Sequence, residues 1–189
     1  MNLSSPFQTA PQISIDQDTE IIFVADLFVD QYSGGAELTT EALIKKCPVK
    51  YQKILSKDLS VEVLEQGHSK HWIFGNFSGM DQQLIPTIVA NLSYSILEYD
   101  YKFCKYRSIE KHRYAEGKDC DCDDSQHGKM ISAFFYGAKS LYWMSEGQQQ
   151  IYHEKFPFLS EKHNTVLSSV FSDEFFFLVK QLREKNKDQ

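Results

Sequence analysis

Ile21-Ile22-Phe23-Val24-Ala25-Asp26, followed by Ser33-Gly34-Gly35-Ala36-Glu37 and a helix-like run over residues 38–46, reads as a buried strand, a double-glycine loop and a helix start. Adjacent glycines let a backbone turn tightly and approach a ligand, and the free N–H groups of a helix start carry partial positive charge. Such a loop suits phosphate. The full G-x-G-x-x-G pattern is missing, so the glycines alone fit equally well a turn before an ordinary amphipathic helix.

Working outward, strand and helix signals alternate. Residues 49–55, 71–76, 94–101, 141–144 and 165–170 predict five further strands. Residues 38–47 predict a helix stopped by Pro48, 58–66 a short one ended by Gly67, and 80–92 another with Ser78 as N-cap and Pro86 as a kink. Met130, Ile131, Phe134, Phe135 and Ala138 mark one helix face, residues 148–155 a further helix, and Phe175, Leu178, Val179 and Leu182 a closing stripe. This order predicts an α/β domain, a Rossmann-like, mainly parallel sheet with helices on both faces. Residues 1–18, polar with Pro6 and Pro11, read as an N-terminal arm or edge segment. Residues 19–189 read as one domain with an irregular Cys/His-containing insertion at 102–128.

Composition narrows the function. A chain of 189 residues suits one core rather than two. A net charge of −6 disfavours nucleic acid, because an acidic surface repels phosphate backbones. No apolar run reaches the roughly 18 residues of a transmembrane segment, and residues 1–18 lack an apolar signal core, so a cytoplasmic location is expected. Four cysteines in such a chain suit thiols or metal ligands better than a disulfide framework.

In an open parallel sheet, ligands bind beyond the carboxyl ends of the strands. Those ends should bring together Gly34 and Gly35, residues 76–79, residues 100–107, and Ser145 with Glu146, although polar loops occur at that edge in any α/β domain. Asp100, flanked by Lys102 and Arg107, is placed to accept a hydrogen bond or stabilise positive charge, or simply to cap a loop. Lys105, Lys111 and Arg113 extend a basic segment that would hold an anion or stay solvated. Tyr99, Tyr101, Phe103 and Tyr106 interleave with it as sugar-stacking faces or as core. Cys104, His112, Cys120, Cys122 and His127 fall within 24 residues. A C-x-C pair is awkward as a disulfide but can share a metal, so three thiols with either His112 or His127 suit a closed structural zinc site. Free thiols with incidental histidines are the alternative.

The order strand, Gly34-Gly35-Ala36-Glu37, helix, and later Leu141-Tyr142-Trp143-Met144-Ser145-Glu146 before a polar helix, resembles the N-terminal domain of GT-B glycosyltransferases, over most of residues 19–175. The resemblance is to the nucleotide-sugar-dependent, retaining group. It implies an acceptor-side domain of an enzyme that moves a sugar from a nucleotide-sugar donor to an acceptor hydroxyl. Gly34, Gly35 and Glu37 would lie near the donor diphosphate with Lys102, Arg107, Ser145 and Glu146, and Asp100 near the reacting centre as the catalytic residue. The family needs no metal for transfer, so a zinc here would be structural. It binds the donor mainly through a second Rossmann-like domain carrying an E-x7-E motif. Glu146 and Glu154 have that separation, but thirteen Glu make about one such pair expected by chance, and this one falls in the wrong domain. The chain alone would then bind donor weakly. A non-enzymatic zinc-stabilised module for a glycan or protein partner is the rival reading, and a nucleotide-binding regulator a third.

Overall fold

The computed structural model describes residues 13–186. Six strands form one all-parallel sheet: β1 (Ile21–Ala25), β2 (Tyr51–Leu55), β3 (His71–Phe74), β4 (Ser93–Glu98), β5 (Ser140–Trp143) and β6 (His163–Val166), in the order β2-β1-β3-β4-β5-β6. Helices α1 (Gly35–Lys45), α2 (Val61–Gln66), α3 (Ile85–Asn91), α4 (Ile109–Glu116), α5 (Gln126–Gly137), α6 (Glu146–Lys155) and α7 (Asp173–Lys185) fill the connections and the C-terminal region. The expected Rossmann-like layout is therefore present. Chain order reverses between β1 and β3, and this switch point fixes where a crevice opens.

Strands covered on both faces need apolar side chains pointing to both sides of the sheet. Register aligns Ile22 with Trp72 and Val24 with Phe74, then Trp72 with Tyr94, Phe74 with Ile96 and Ile96 with Leu141. These side chains build the larger core with Ile131, Phe134 and Phe135 of α5. Tyr94 stacks on Phe134 at 5.0 Å and its hydroxyl donates to the Phe134 carbonyl at 2.6 Å. Each such fully buried side chain contributes about 1.5–3 kcal/mol. On the opposite face Phe23, Ala25, Phe28 and Ile44 of α1 form a smaller core.

Several expectations change. The region after Ser78 is a 3-10 turn at Gln82–Leu84, its Gln83 amide bonded to the Asp81 side chain, and α3 starts only at Ile85. Pro86 sits in the first turn of α3, where its missing N–H costs nothing, and so makes no kink. The segment 102–128 is not irregular throughout. It contains α4, capped by Ser108 and closed by left-handed Gly117 at φ 67°. Helix α7 forms, but Phe176, Phe177, Leu178 and Leu182 are exposed and the helix buries no residue. Of the proposed arm, residues 1–12 lie outside the described residues; in 13–18 there is no strand, and Ile15 is buried in the core.

Candidate functional site

The crevice is built from the carboxyl ends of β1, β3 and β4. Asp26 follows β1 and accepts from the Ser56 and Ser78 hydroxyls, the Ser78 amide at 3.1 Å and the Gly79 amide at 3.0 Å. Burial pulls its acidity toward the neutral form, but these donors outweigh it and hold the carboxyl below the ordinary value. Asp26 thus ties the loops after β1, β2 and β3 together.

Arg107 spans the same edge. Its Nη2 lies 2.7 Å from Asp100 Oδ2 and 2.8 Å from Asn76 Oδ1, Nη1 donates to Ser78 Oγ, and Asp26 Oδ2 stands 3.8 Å away. The arginine is held at φ 53°, a left-handed conformation that a non-glycine residue adopts only when its surroundings enforce it. Beneath it, buried Lys102 places Nζ 2.9 Å from Glu98 Oε2, 3.6 Å from Asp100 Oδ1 and 5.4 Å from the Phe77 ring centre. Glu98 also accepts from the Asp100 and Lys102 amides, each at 3.2 Å. Burial pushes its carboxyl up to about 7 against the pull of Lys102.

The remaining predicted residues border this edge. Gly34 caps α1 without a side-chain hydrogen bond; a Cβ placed on Gly35 would meet nothing within 4 Å, whereas one on Gly34 would lie 2.5 Å from Glu37 Oε2 and 2.7 Å from Tyr32 Cε1, so the start of α1 is open at Gly35 but covered at Gly34. Glu37 is buried in the first turn of α1, and Thr40 one turn on shares a 2.7 Å hydrogen bond with the Tyr99 hydroxyl beyond β4. Ser145 caps α6, Glu146 is exposed beside it, and Gln148 donates to the Asp100 carbonyl at 2.9 Å. A cavity of about 250 Å³ reaches from Ser78, Lys102 and Arg107 over Phe77 and Ile131 to Cys104.

Behind the crevice, Cys104, His112, Cys120 and Cys122 are all buried, and one potential ligand atom from each lies within 4.8 Å of all the others. His112 Nδ1 is 3.4 Å from Cys122 Sγ and 3.7 Å from Cys104 Sγ. A tetrahedral ion with bonds of about 2.3 Å to sulfur and about 2.0 Å to nitrogen keeps such ligands about 3.5 Å apart, so the cluster can hold a metal. His112 Nε2 is buried without a hydrogen-bond partner among the described residues, Asp121 Oδ1 being the nearby carboxylate oxygen at 3.7 Å. Burial pushes the Cys120 thiol up to about 12, so it keeps its proton unless a cation displaces it.

Of the two candidate histidines, His127 lies outside the cluster. Its Nε2 lies 2.9 Å from the Lys102 carbonyl, which can only accept, and its Nδ1 lies 3.4 Å from Gln82 Nε2. Both ring nitrogens are thereby engaged, and the cluster closes with His112. Asp26 and Glu98 each accept several hydrogen bonds at this edge, and the sequence reading gave neither a role. The available signal was a lone acid ending each apolar strand run. His71, between the Ser93 and Ser95 hydroxyls at 3.0 Å each, pairs within the sheet. Among the described residues no helix is long and apolar enough to cross a membrane. No protein-family model matches the chain, and no curated protein matches it.

Proposed function

We propose that the chain is the acceptor-side domain of a GT-B, nucleotide-sugar-dependent glycosyltransferase. It would work in the cytoplasm with a second Rossmann-like domain that supplies most of the donor site. The observation that carries this reading is the meeting, at one carboxyl edge, of a helix start open at Gly35, a carboxylate at Asp100 and two cations at Lys102 and Arg107. On this reading the amides at Gly34 and Gly35 face the donor diphosphate. Arg107 and Lys102 offset charge developing on the departing diphosphate, the main catalytic contribution such a site can make. Asp100, oriented by Arg107, stands beside the reacting carbon and accepts from a sugar or acceptor hydroxyl. The Cys104, His112, Cys120 and Cys122 cluster would hold a structural zinc that takes no part in transfer.

The test is thermal denaturation with UDP, GDP, ADP and their sugars, followed by a transfer assay on any longer natural form. A ligand at tenfold its Kd adds about 1.4 kcal/mol, which in a domain this size raises the Tm by about 3–6 °C. Loss of that shift in Gly35→Val, and loss of transfer in Asp100→Asn, are expected. A response to oligosaccharides with none to any diphosphate would replace this reading with a binding module. Silence toward both would remove it.

A further inference from the structure

Residues 101–107 form a closed loop around Cys104. The Cys104 amide donates to the Tyr101 carbonyl at 2.8 Å, the Arg107 amide donates to the Cys104 carbonyl at 2.8 Å, and the Tyr101 amide reaches the Arg107 carbonyl at 3.4 Å. One residue therefore faces both ways, its thiol entering the cluster and its backbone setting where Arg107 begins. The other three ligands come from different supports. His112 lies on α4, and the Cys120–Cys122 turn is pinned by Lys155 of α6, which donates to the Cys120 carbonyl at 2.7 Å and to Asp123 at 2.9 Å. The first half of the loop is fastened without any metal, by buried Phe103 and by the Lys102 amide, which donates to the Tyr152 hydroxyl at 3.0 Å, while Lys105 and Tyr106 bond Glu116 of α4. What remains for the cluster to fix is the far end, where the Tyr101 amide closes on the Arg107 carbonyl at 3.4 Å and Arg107 carries an unfavourable backbone conformation.

We infer that a thiophilic divalent metal at Cys104, His112, Cys120 and Cys122 is the positioning centre of the crevice, fixing Arg107 across Asp26, Asn76 and Asp100 without touching the crevice's ligand. This rests on the metal reading above and is independent of sugar transfer. Binding at Cys104 further restrains the Cys104–Arg107 end of the loop, so the left-handed Arg107 no longer has to be enforced by the guanidinium contacts alone. Coupling of this kind is reciprocal: whatever factor the metal adds to Arg107 order, Arg107 adds to metal affinity.

The experiment uses the full chain loaded with Zn(II), or with Co(II) as a spectroscopic substitute. Arg107 is one of three arginines in the sequence, so its Nε–H resonance can be assigned by substitution. Loading should give one metal per chain and Co(II)–thiolate bands. Chelation should speed exchange at residues 101–107 and at Arg107 Nε about tenfold or more, within the usual range of such couplings, while Phe23, Phe74 and Ile96 amides stay protected. His112→Ala should mimic chelation, and His112→Cys, which keeps four ligands, should restore Arg107 order if the effect is coordination rather than folding. Arg107→Ala should weaken metal binding by the same factor. Full metal with unchanged Arg107 exchange on chelation would overturn the positioning role. Absence of thiolate bands would overturn the site. Neither outcome depends on whether nucleotide sugars bind.

Discussion

Replacing Gly128 with alanine is expected to destabilise the domain and, together with it, to weaken metal uptake by the proposed Cys104–His112–Cys120–Cys122 site. Gly128 is the third residue of α5, its amide donating to the Ser125 hydroxyl at 3.0 Å. A Cβ built there would lie 2.0 Å from the Cys122 carbonyl oxygen and 2.9 Å from the Asp123 Cα. Both are backbone atoms, so no change of rotamer relieves the overlap. Reaching even the 3.0 Å limit below which Cβ contacts essentially never occur requires a shift of roughly 1 Å in the Cys122 turn. Two effects compete. Alanine in a helix gains up to about 1 kcal/mol over glycine, whereas overpacking costs about 1–3 kcal/mol and more when backbone must move. The overlap wins here, leaving a net loss of about 1–2 kcal/mol and a Tm lowered by about 2–8 °C. A metal bond tolerates displacements of only about 0.2 Å, so occupancy should fall with stability. Calorimetry and elemental analysis of the purified variant read both. Gly147→Ala is the control: it sits near the start of α6 with nothing within 4 Å of its new Cβ and should be neutral or slightly stabilising. A Gly128→Ala protein that melts no lower than wild type and keeps its metal would refute the packing of α5 on the Cys122 turn.

Three further outcomes are expected. Glu98 has a folded value raised from 4.5 to about 7, so between those pH values the folded state keeps a proton the unfolded chain has released. Its contribution therefore falls as pH rises through that window, and urea titrations should show wild-type stability declining relative to Glu98→Gln between pH 4.5 and 7; a difference independent of pH would contradict the burial of Glu98. Gly35→Val should leave stability within about 1 kcal/mol of wild type, because the new side chain meets open space at a helix start, and a large drop in Tm would show that this edge is packed. His127→Gln should retain full metal while His112→Gln loses it, as elemental analysis would read; the reverse pattern would reassign the imidazole.

The sheet was legible because strands buried on both faces leave near-continuous apolar runs, and residues 21–25 show this plainly. Helix α4 was hidden for the opposite reason. Its one buried residue is His112, so no apolar stripe marks it, and only Ser108 and Gly117 at its ends carry a signal. Periodicity also misleads by itself: the stripe on α7 is a clear helical pattern, yet Leu178, Val179 and Leu182 are exposed and Phe175 only half-buried, since a period reports an apolar face and not what covers it.

The same limit separates the two parts of the candidate site. The cluster's residue types were legible from composition, because thiols and imidazoles crowded into 24 residues are chemically informative wherever they sit. The choice of His112 over His127 was not, since it turns on one carbonyl, that of Lys102, and one amide, that of Gln82, 45 residues away in sequence. Asp26 is the stronger case. A single acid after an apolar strand is common, and what makes this one the tie-point of the crevice is Ser56, Ser78 and Gly79, brought from 30 to 53 residues away by the reversal of strand order at β1 and β3. Local chemistry can therefore nominate a site from sequence when the reactive groups are neighbours in the chain. Where a site is made by topology, the residue that organises it looks ordinary until the strand order is known.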